Sequence, residues 1–289
     1  LIDGLVPSWN QQDREVITHT LLGLVLAAQD LWREWNNRLE REGLKNGFSV
    51  ILFIRTDIFR TLLSKAEEPD KLRYEQLSWE DTQTLLQVIN RRIQASLGNG
   101  SEYKLNWSDL LEPGFRYDQM EKMLESSLLP RPRDVIYYFQ RVLFHATRKN
   151  TKRITRRGFQ DSWREYSEYA LQALSAEWHP DVPDMTDLLL QFWGSRAELT
   201  AVHLREVLLK AGVPEERMQE VLRFLIESQF LGVSIDPHNY RFASTSIQAD
   251  AMTRQAGRFV HDQGGERKFK VHRAFNESLG LYTKGARRR

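Results

Sequence analysis

Residues 48–54 read FSVILFI, a short unbroken apolar run rich in β-branched residues. Such a run reads as a strand buried on both faces, as in a parallel sheet. It stops at Arg55–Thr56–Asp57, three polar residues at the strand's C-terminal end, and IFRTLLSKA (58–66) then turns helical. Upstream, Val16, Ile17, Leu21, Leu24, Val25, Ala28, Leu31, Trp32 and Trp35 recur at i, i+3, i+4 spacing, which predicts one amphipathic helix over Asp13–Glu42, closed by Gly43. Leu1–Ile2–Asp3 reads as the end of an earlier strand. Strand end, helix, strand, helix is a fragment of a βαβα array. Ligands of such sheets sit beyond the C-terminal strand ends, which is where Asp3 and Arg55–Asp57 fall.

Beyond Tyr74 the pattern is mainly helical. Helices are expected over Trp79–Leu97, over Asp118–Leu128, from Pro132 to about Lys149, and from a Thr155 cap to Glu177. HPDVPD (179–184) holds two prolines in six residues and marks a domain boundary. Helices follow at Met185–Trp193, at Thr200–Ala211 and from Pro214 to about Gln229, and then LGVSID and YRFAST flank Pro237–His238–Asn239 as a hairpin. Three helices and a hairpin make a winged helix. The division expected is 1–72, 73–180 and 181–289.

The chain of 289 residues is 41% apolar and 28% charged, enough for packed cores. No run approaches the roughly 18–20 apolar residues of a membrane span. The absence of cysteine excludes disulfides and thiol catalysis and fits a reducing cytoplasm. None of the seven histidines pairs at H-x-x-x-H spacing, so zinc has no starting point. A net charge of +2 hides two basic blocks: residues 131–158 carry nine Lys/Arg against one acid, and residues 266–289 carry eight against two. Blocks of this kind suit phosphate contacts, or else form a solvated helix face and a frayed tail.

These motifs carry a family resemblance. LIDGL (1–5) resembles the end of a Walker B strand, ILFIRTDIF (51–59) a strand with its sensor-1 end, LSWEDTQTLLQVINRRI (77–93) a lid entry, and LPRPRDVIYYFQRVLFHA (129–146) a lid helix with a sensor-2 arginine. Together with SWREYSEYALQALSAEW (162–178) and KFKVHRAFNESLGL (268–281), they are similar to bacterial STAND/AAA+-like P-loop ATPases, some linked to phage defence. The resemblance implies an α/β P-loop NTPase fragment with a parallel sheet, a mostly α-helical lid and a C-terminal winged-helix domain. No G-x-x-x-x-G-K-[ST] occurs, so it also implies a phosphate-cradling segment before Leu1.

The same resemblance implies ATP and Mg²⁺ as cofactors and assigns roles. Asp3 would hold Mg²⁺ through water; otherwise it is a loop or capping acid. Arg55, Thr56 and Asp57 would reach the γ-phosphate or its water, with Asp57 alternatively capping the next helix. Arg131 and Arg133 would swing onto the γ-phosphate, or else pair with Asp134 or Glu112. Gly4, Leu5, Val6 and Pro7 follow Asp3, so the second acid that orients attacking water is missing there. The function expected is a nucleotide-sensing switch or scaffold that assembles with itself or with an effector protein, plausibly in anti-phage defence. The alternative is a winged-helix DNA-binding regulator. The expected recognition helix, PEERMQEVLRFLIESQF (214–230), sets Arg217 and Arg223 against Glu215, Glu216, Glu220 and Glu227, a face that phosphates repel.

Overall fold

The computed structural model describes residues 14–43, 49–54, 56–72, 74, 75, 77, 79, 81–96, 106–178, 184–236, 239–243, 245–263 and 266–282. The chain divides into two compact units, Leu1–Leu77 and Ser78–Arg289.

In the first unit, α1 (Arg14–Glu42) and α2 (Thr56–Lys65) pack through Leu21, Ile58 and Leu62, with Ile17, Leu22, Ile54 and Phe59 around them. This contact is small. Leu24, Leu31, Trp32 and Trp35, all on the apolar stripe of α1, stay exposed. Among the described residues the expected parallel sheet does not form. Residues 49–54 form no strand, and successive side chains on both sides of the run lie open, Ile51 at 72% and Phe53 at 80% exposure. The run has the side chains of a buried strand but lacks the condition for one. A strand needs neighbours to take its backbone N–H and C=O groups, and the described residues supply none at that place. The P-loop NTPase fold class is therefore corrected: the chain is mainly helical, and its one described sheet is antiparallel.

The second unit begins with α3 (Thr82–Ser96), whose first turn is capped by Asp81: its carboxylate accepts from Gln83 N at 3.0 Å and Thr84 N at 3.1 Å. These bonds hold Asp81 below its usual pKa, the Thr84 hydroxyl contributing most. After α4 (Trp107–Leu110) and α5 (Tyr117–Glu125) come two long helices, α6 (Pro132–Arg148) and α7 (Arg156–Trp178). Pro132 opens α6 where its missing N–H goes unneeded. Thr155 Oγ1 caps α7 by accepting from Gly158 N at 2.9 Å. The two helices pack along their length, burying Val135, Tyr138, Phe139 and Val142 against Phe159, Tyr166, Ala170 and Leu174.

The rest of the unit is α8 (Met185–Leu190), β1 (Glu198–Thr200), α9 (Ala201–Lys210), α10 (Met218–Glu227), β2 (Leu231–Ser234), β3 (Tyr240–Arg241), α11 (Ser246–Gln263) and β4 (Lys268–Val271). The hairpin β2–β3 is present, with Ser234 opposite Tyr240. The three expected helices, α8, α9 and α10, precede it, and α11 and β4 follow it as additions that the sequence reading did not include. The sheet order is β1-β4-β2-β3, all antiparallel, and β4 comes from the segment that reads as a basic tail. The physical reason lies in its alternation. Phe269 and Val271 point into the core, while Lys268 and Lys270 face outward, as a half-buried strand requires. Ala274, Phe275 and Leu279 follow them into the core.

One continuous hydrophobic core runs from α3 to Leu279. Phe192, Phe230 and Phe275, all fully buried, meet at ring separations of 5.0 and 5.1 Å. Gly232 in β2 is required by packing. A Cβ there would lie 2.8 Å from the Phe242 ring, which is itself set edge-on against His272 at 4.6 Å. Gly232→Ala is expected to cost about 1–3 kcal/mol by overpacking. Urea denaturation measures it, and an unchanged midpoint would mean that Phe242 moves aside freely.

Candidate functional site

The residues that sequence reasoning placed near phosphate fall in three groups. Asp3 and Arg55 lie outside the described residues. Thr56 and Asp57 open α2, and their side chains lie outside the description as well. Arg131 and Arg133 are fully described, and they stand at a polar junction inside the second unit.

The junction is built from helix ends. Arg131 is the N-cap residue of α6, Pro132 its first residue and Asp134 lies in its first turn. Glu177 is at the end of α7, and Ser228 caps the C-terminus of α10. Arg131 Nη1 donates to Glu177 Oε2 at 2.9 Å, and its Nη2 donates to the Ser228 carbonyl at 3.3 Å. Arg133 Nη2 donates to the same Glu177 oxygen at 2.8 Å. A carboxylate at a helix C-terminus is unfavourable by itself, and so are cations at a helix N-terminus. Bringing these two unfavourable ends together relieves both. Arg131 also supplies a cation to the C-terminus of α10, where the chain turns through Gln229 at φ 65°. The contact with Asp134 weighed from the sequence is present but looser, Arg133 Nε lying 3.6 Å from Oδ2. Glu112, the other acid weighed, instead accepts from Arg156 N at 2.6 Å.

Beneath the arginines lies a buried pair. Asp134 is 1% exposed and Tyr166 is fully buried. The Tyr166 hydroxyl accepts from Leu129 N at 3.0 Å and donates to Asp134 Oδ1 at 2.9 Å. Asp134 Oδ2 makes no hydrogen bond. Burial raises the Asp134 pKa, against the opposing pull of Arg131 and Tyr166. Across the junction, His272 is buried, and its Nδ1 accepts from Ala274 N at 3.1 Å. Burial, then the charge of Arg131, depresses its pKa to about 4, so the ring is neutral at pH 7. Tyr166, Glu177 and His272 were not singled out from the sequence, and Asp134 was weighed only as a partner of the arginines. The signal available was weak: an acid and a tyrosine at helical spacing on otherwise apolar faces.

The junction therefore fixes the α6–α7 pair to the sheet-bearing part of the unit. Arg131→Ala is expected to cost about 1.5–3 kcal/mol, since it removes charge-assisted bonds from a side chain only 23% exposed. Arg133→Ala should cost about 1 kcal/mol or less, because its side chain is half exposed and Arg131 still holds Glu177. Equal losses in urea denaturation would contradict this division of roles.

The basic block at 131–158 is largely neutralised from within. Arg141 and His145 both meet Glu165, and Lys149 and Arg157 both meet Asp161. Arg153 donates to the Ser108 and Leu111 carbonyls, and Arg156 to Gln119. Among the described residues, Arg148 and Lys152 of this block meet neither an acid nor a carbonyl. Alongside, Tyr137 and Tyr169 stack at 3.9 Å and 9°. Leu143 and Phe144 project from α6 at 48% and 45% exposure, with Arg141 over the Phe144 ring at 4.3 Å.

The α10 face is likewise self-satisfied. Arg217 pairs with Glu220 and Arg223 with Glu227, while Arg223 also reaches Asp250 on α11, which packs against α10. The sheet behind α10 includes β4, so DNA binding is measured on the whole chain. Duplex DNA is expected to bind at roughly 10⁻⁴–10⁻⁶ M or weaker at physiological salt. Fluorescence anisotropy reads this, and a sequence-specific affinity near 10⁻⁸ M would reverse it.

Of the residues expected to hold ATP and Mg²⁺, Asp3, Arg55 and the side chains of Thr56 and Asp57 lie outside the described residues. Both described arginines are already on Glu177, and no group of three or more His, Asp or Glu able to hold a metal occurs among the described residues. None of the described helices is long and apolar enough to cross a membrane.

Residues 83–175, running from α3 through most of α7, match the family of FunZ-associated C-terminal helical domains. No curated protein and no solved structure matches the chain.

Proposed function

We propose that residues 78–289 act as a non-catalytic scaffold of a switch-type protein, making protein contacts rather than binding DNA or turning over a nucleotide. The observation that carries this reading is what the α6 arginines touch. Two cations suited to phosphate are engaged by Glu177 and the end of α10, where they join helical and sheet-bearing parts into one body. A scaffold needs rigidity of this kind, whereas a phosphate sensor needs its arginines available.

Two further observations agree with the reading. The α6–α7 surface carries the exposed pair Leu143 and Phe144, apolar side chains suited to a protein contact. The matching family is one of helical domains. The DNA-regulator reading gains no support from α10, whose arginines are paired and one of whose faces meets α11. The partner proposed is a second copy of the chain. Sedimentation of the wild type and of Phe144→Asp tests it, with association expected in the first and lost in the second.

A further inference from the structure

A cleft of about 500 Å³ opens between the α3–α5 side of the bundle and the β3–α11 side of the sheet. That size lies in the range of small-molecule sites, roughly 300–1,000 Å³. One wall is apolar, formed by Leu85, Leu86, Leu124, Leu128 and Val135, with Met252 and Phe242 opposite. Three features set it apart from a chance groove between packed elements.

First, His272 lines the cleft while being 92% buried, as its relative exposure is 8%. Its Nδ1 accepts the Ala274 N–H, which places the proton of the neutral ring on Nε2. Among the described residues, no acceptor meets that Nε2–H. That donor is open to an acceptor that enters the cleft. Second, the ring is held in place from two sides. Phe242 stands edge-on to it, and Phe242 fits only because residue 232 has no Cβ. Third, a cation stands close to the ring. Arg131 acts on His272 strongly enough to lower its affinity for a proton, while Arg131 and Arg133 themselves face Glu177 and Asp134. Arg241 lines the mouth, with Glu125 as its one acidic neighbour there. Tyr240, also in the lining, is held weakly acidic by burial, its pKa pushed up to about 12, and stays neutral.

We propose that this cleft binds a small amphipathic carboxylate, its apolar body against the leucine wall and its carboxylate accepting from His272 Nε2–H. The donor fixes the head group, and it favours an anion that can accept its hydrogen bond over a cation that cannot. The site uses no residue of the Leu143–Phe144 surface, so it stands apart from the scaffold reading.

Decanoate is the probe, with decyltrimethylammonium as a comparator that carries the same chain, a positive charge and no acceptor. Calorimetry on the full chain is expected to show decanoate binding about 10-fold or more tighter than the comparator, the equivalent of about 1.4 kcal/mol. His272→Asn keeps an acceptor for Ala274 N, but its shorter amide does not reach the Nε2 position, and it should remove that preference. Met252→Trp, which fills the cleft, should remove binding of both. In the wild type, decanoate should shift the ¹⁵N resonance of His272 Nε2, a readout independent of how either variant folds. Equal affinity for the two probes, no decanoate binding at about 5 mM (far weaker than the μM range of a specific small-molecule site), or an unmoved His272 resonance would each overturn the proposal.

Discussion

Tyr166→Phe is expected to lower the stability of the second unit by about 2–5 kcal/mol, although it removes a single oxygen. The hydroxyl lies at the centre of a fully buried chain, accepting from Leu129 N and donating to Asp134 Oδ1. Its loss strands a backbone N–H and leaves a carboxyl group without a hydrogen bond on either oxygen, since Oδ2 has none to begin with. Each stranded group costs about 1–3 kcal/mol. Tyr169→Phe is the control. That residue is partly exposed and stacked on Tyr137, an arrangement phenylalanine keeps, so the change should stay within about 0.5 kcal/mol. Thermal or urea unfolding of both variants decides the matter. Similar small losses in the two would mean that the Tyr166–Asp134 pair is not sealed from water.

The second large effect is acid lability through His272. Its folded pKa, about 4, lies below the ordinary value of 6.5 because the buried ring resists protonation. The unfolded chain therefore takes up the proton first. The stabilising contribution is fully present above pH 6.5 and is lost as the pH falls toward about 4. A shift of this size corresponds to about 3 kcal/mol across that window. Asp134 works in the opposite direction. Burial raises its folded pKa, so its contribution is full at the acid end and declines as pH rises through that pKa. His272→Asn separates the two: Asn can still cap the turn after residue 272 but does not titrate. Denaturation curves at pH 7, 6, 5 and 4.5 should show the variant losing markedly less stability than the wild type. Parallel losses would assign the acid limb to other groups.

Much of the second unit was legible in the sequence. Pro132 and Thr155 mark the starts of α6 and α7 because a proline at N1 and a hydroxyl cap act locally, within one turn. The hairpin of β2 and β3 was legible for the same reason. Strand β4 was not, since KFKV is four residues among many cations and its place in the sheet is fixed by Leu231–Val271 and Leu199–Phe269 pairings distant in sequence. Helix α11 was missed as well; its apolar residues are few and small, with Ala249 and Ala256 as its buried points.

The reading failed most at residues 48–54. A β-branched apolar run indicates what a segment could bury, but not whether partner strands exist to pair with it. The arginines at 131 and 133 were correctly found unusual, because cations at a helix N-terminus require an anion. The sequence could not show that the anion is Glu177, more than forty residues away and brought in by the antiparallel packing of α6 and α7.

Sedimentation velocity on the full chain tests the scaffold reading most directly, run across low to high micromolar protein with and without duplex DNA. The account predicts association that grows with concentration, is unaltered by the duplex and is abolished by Phe144→Asp while the unfolding midpoint stays unchanged. A chain that remains monomeric at every concentration, or that sediments as a stoichiometric DNA complex, would contradict it.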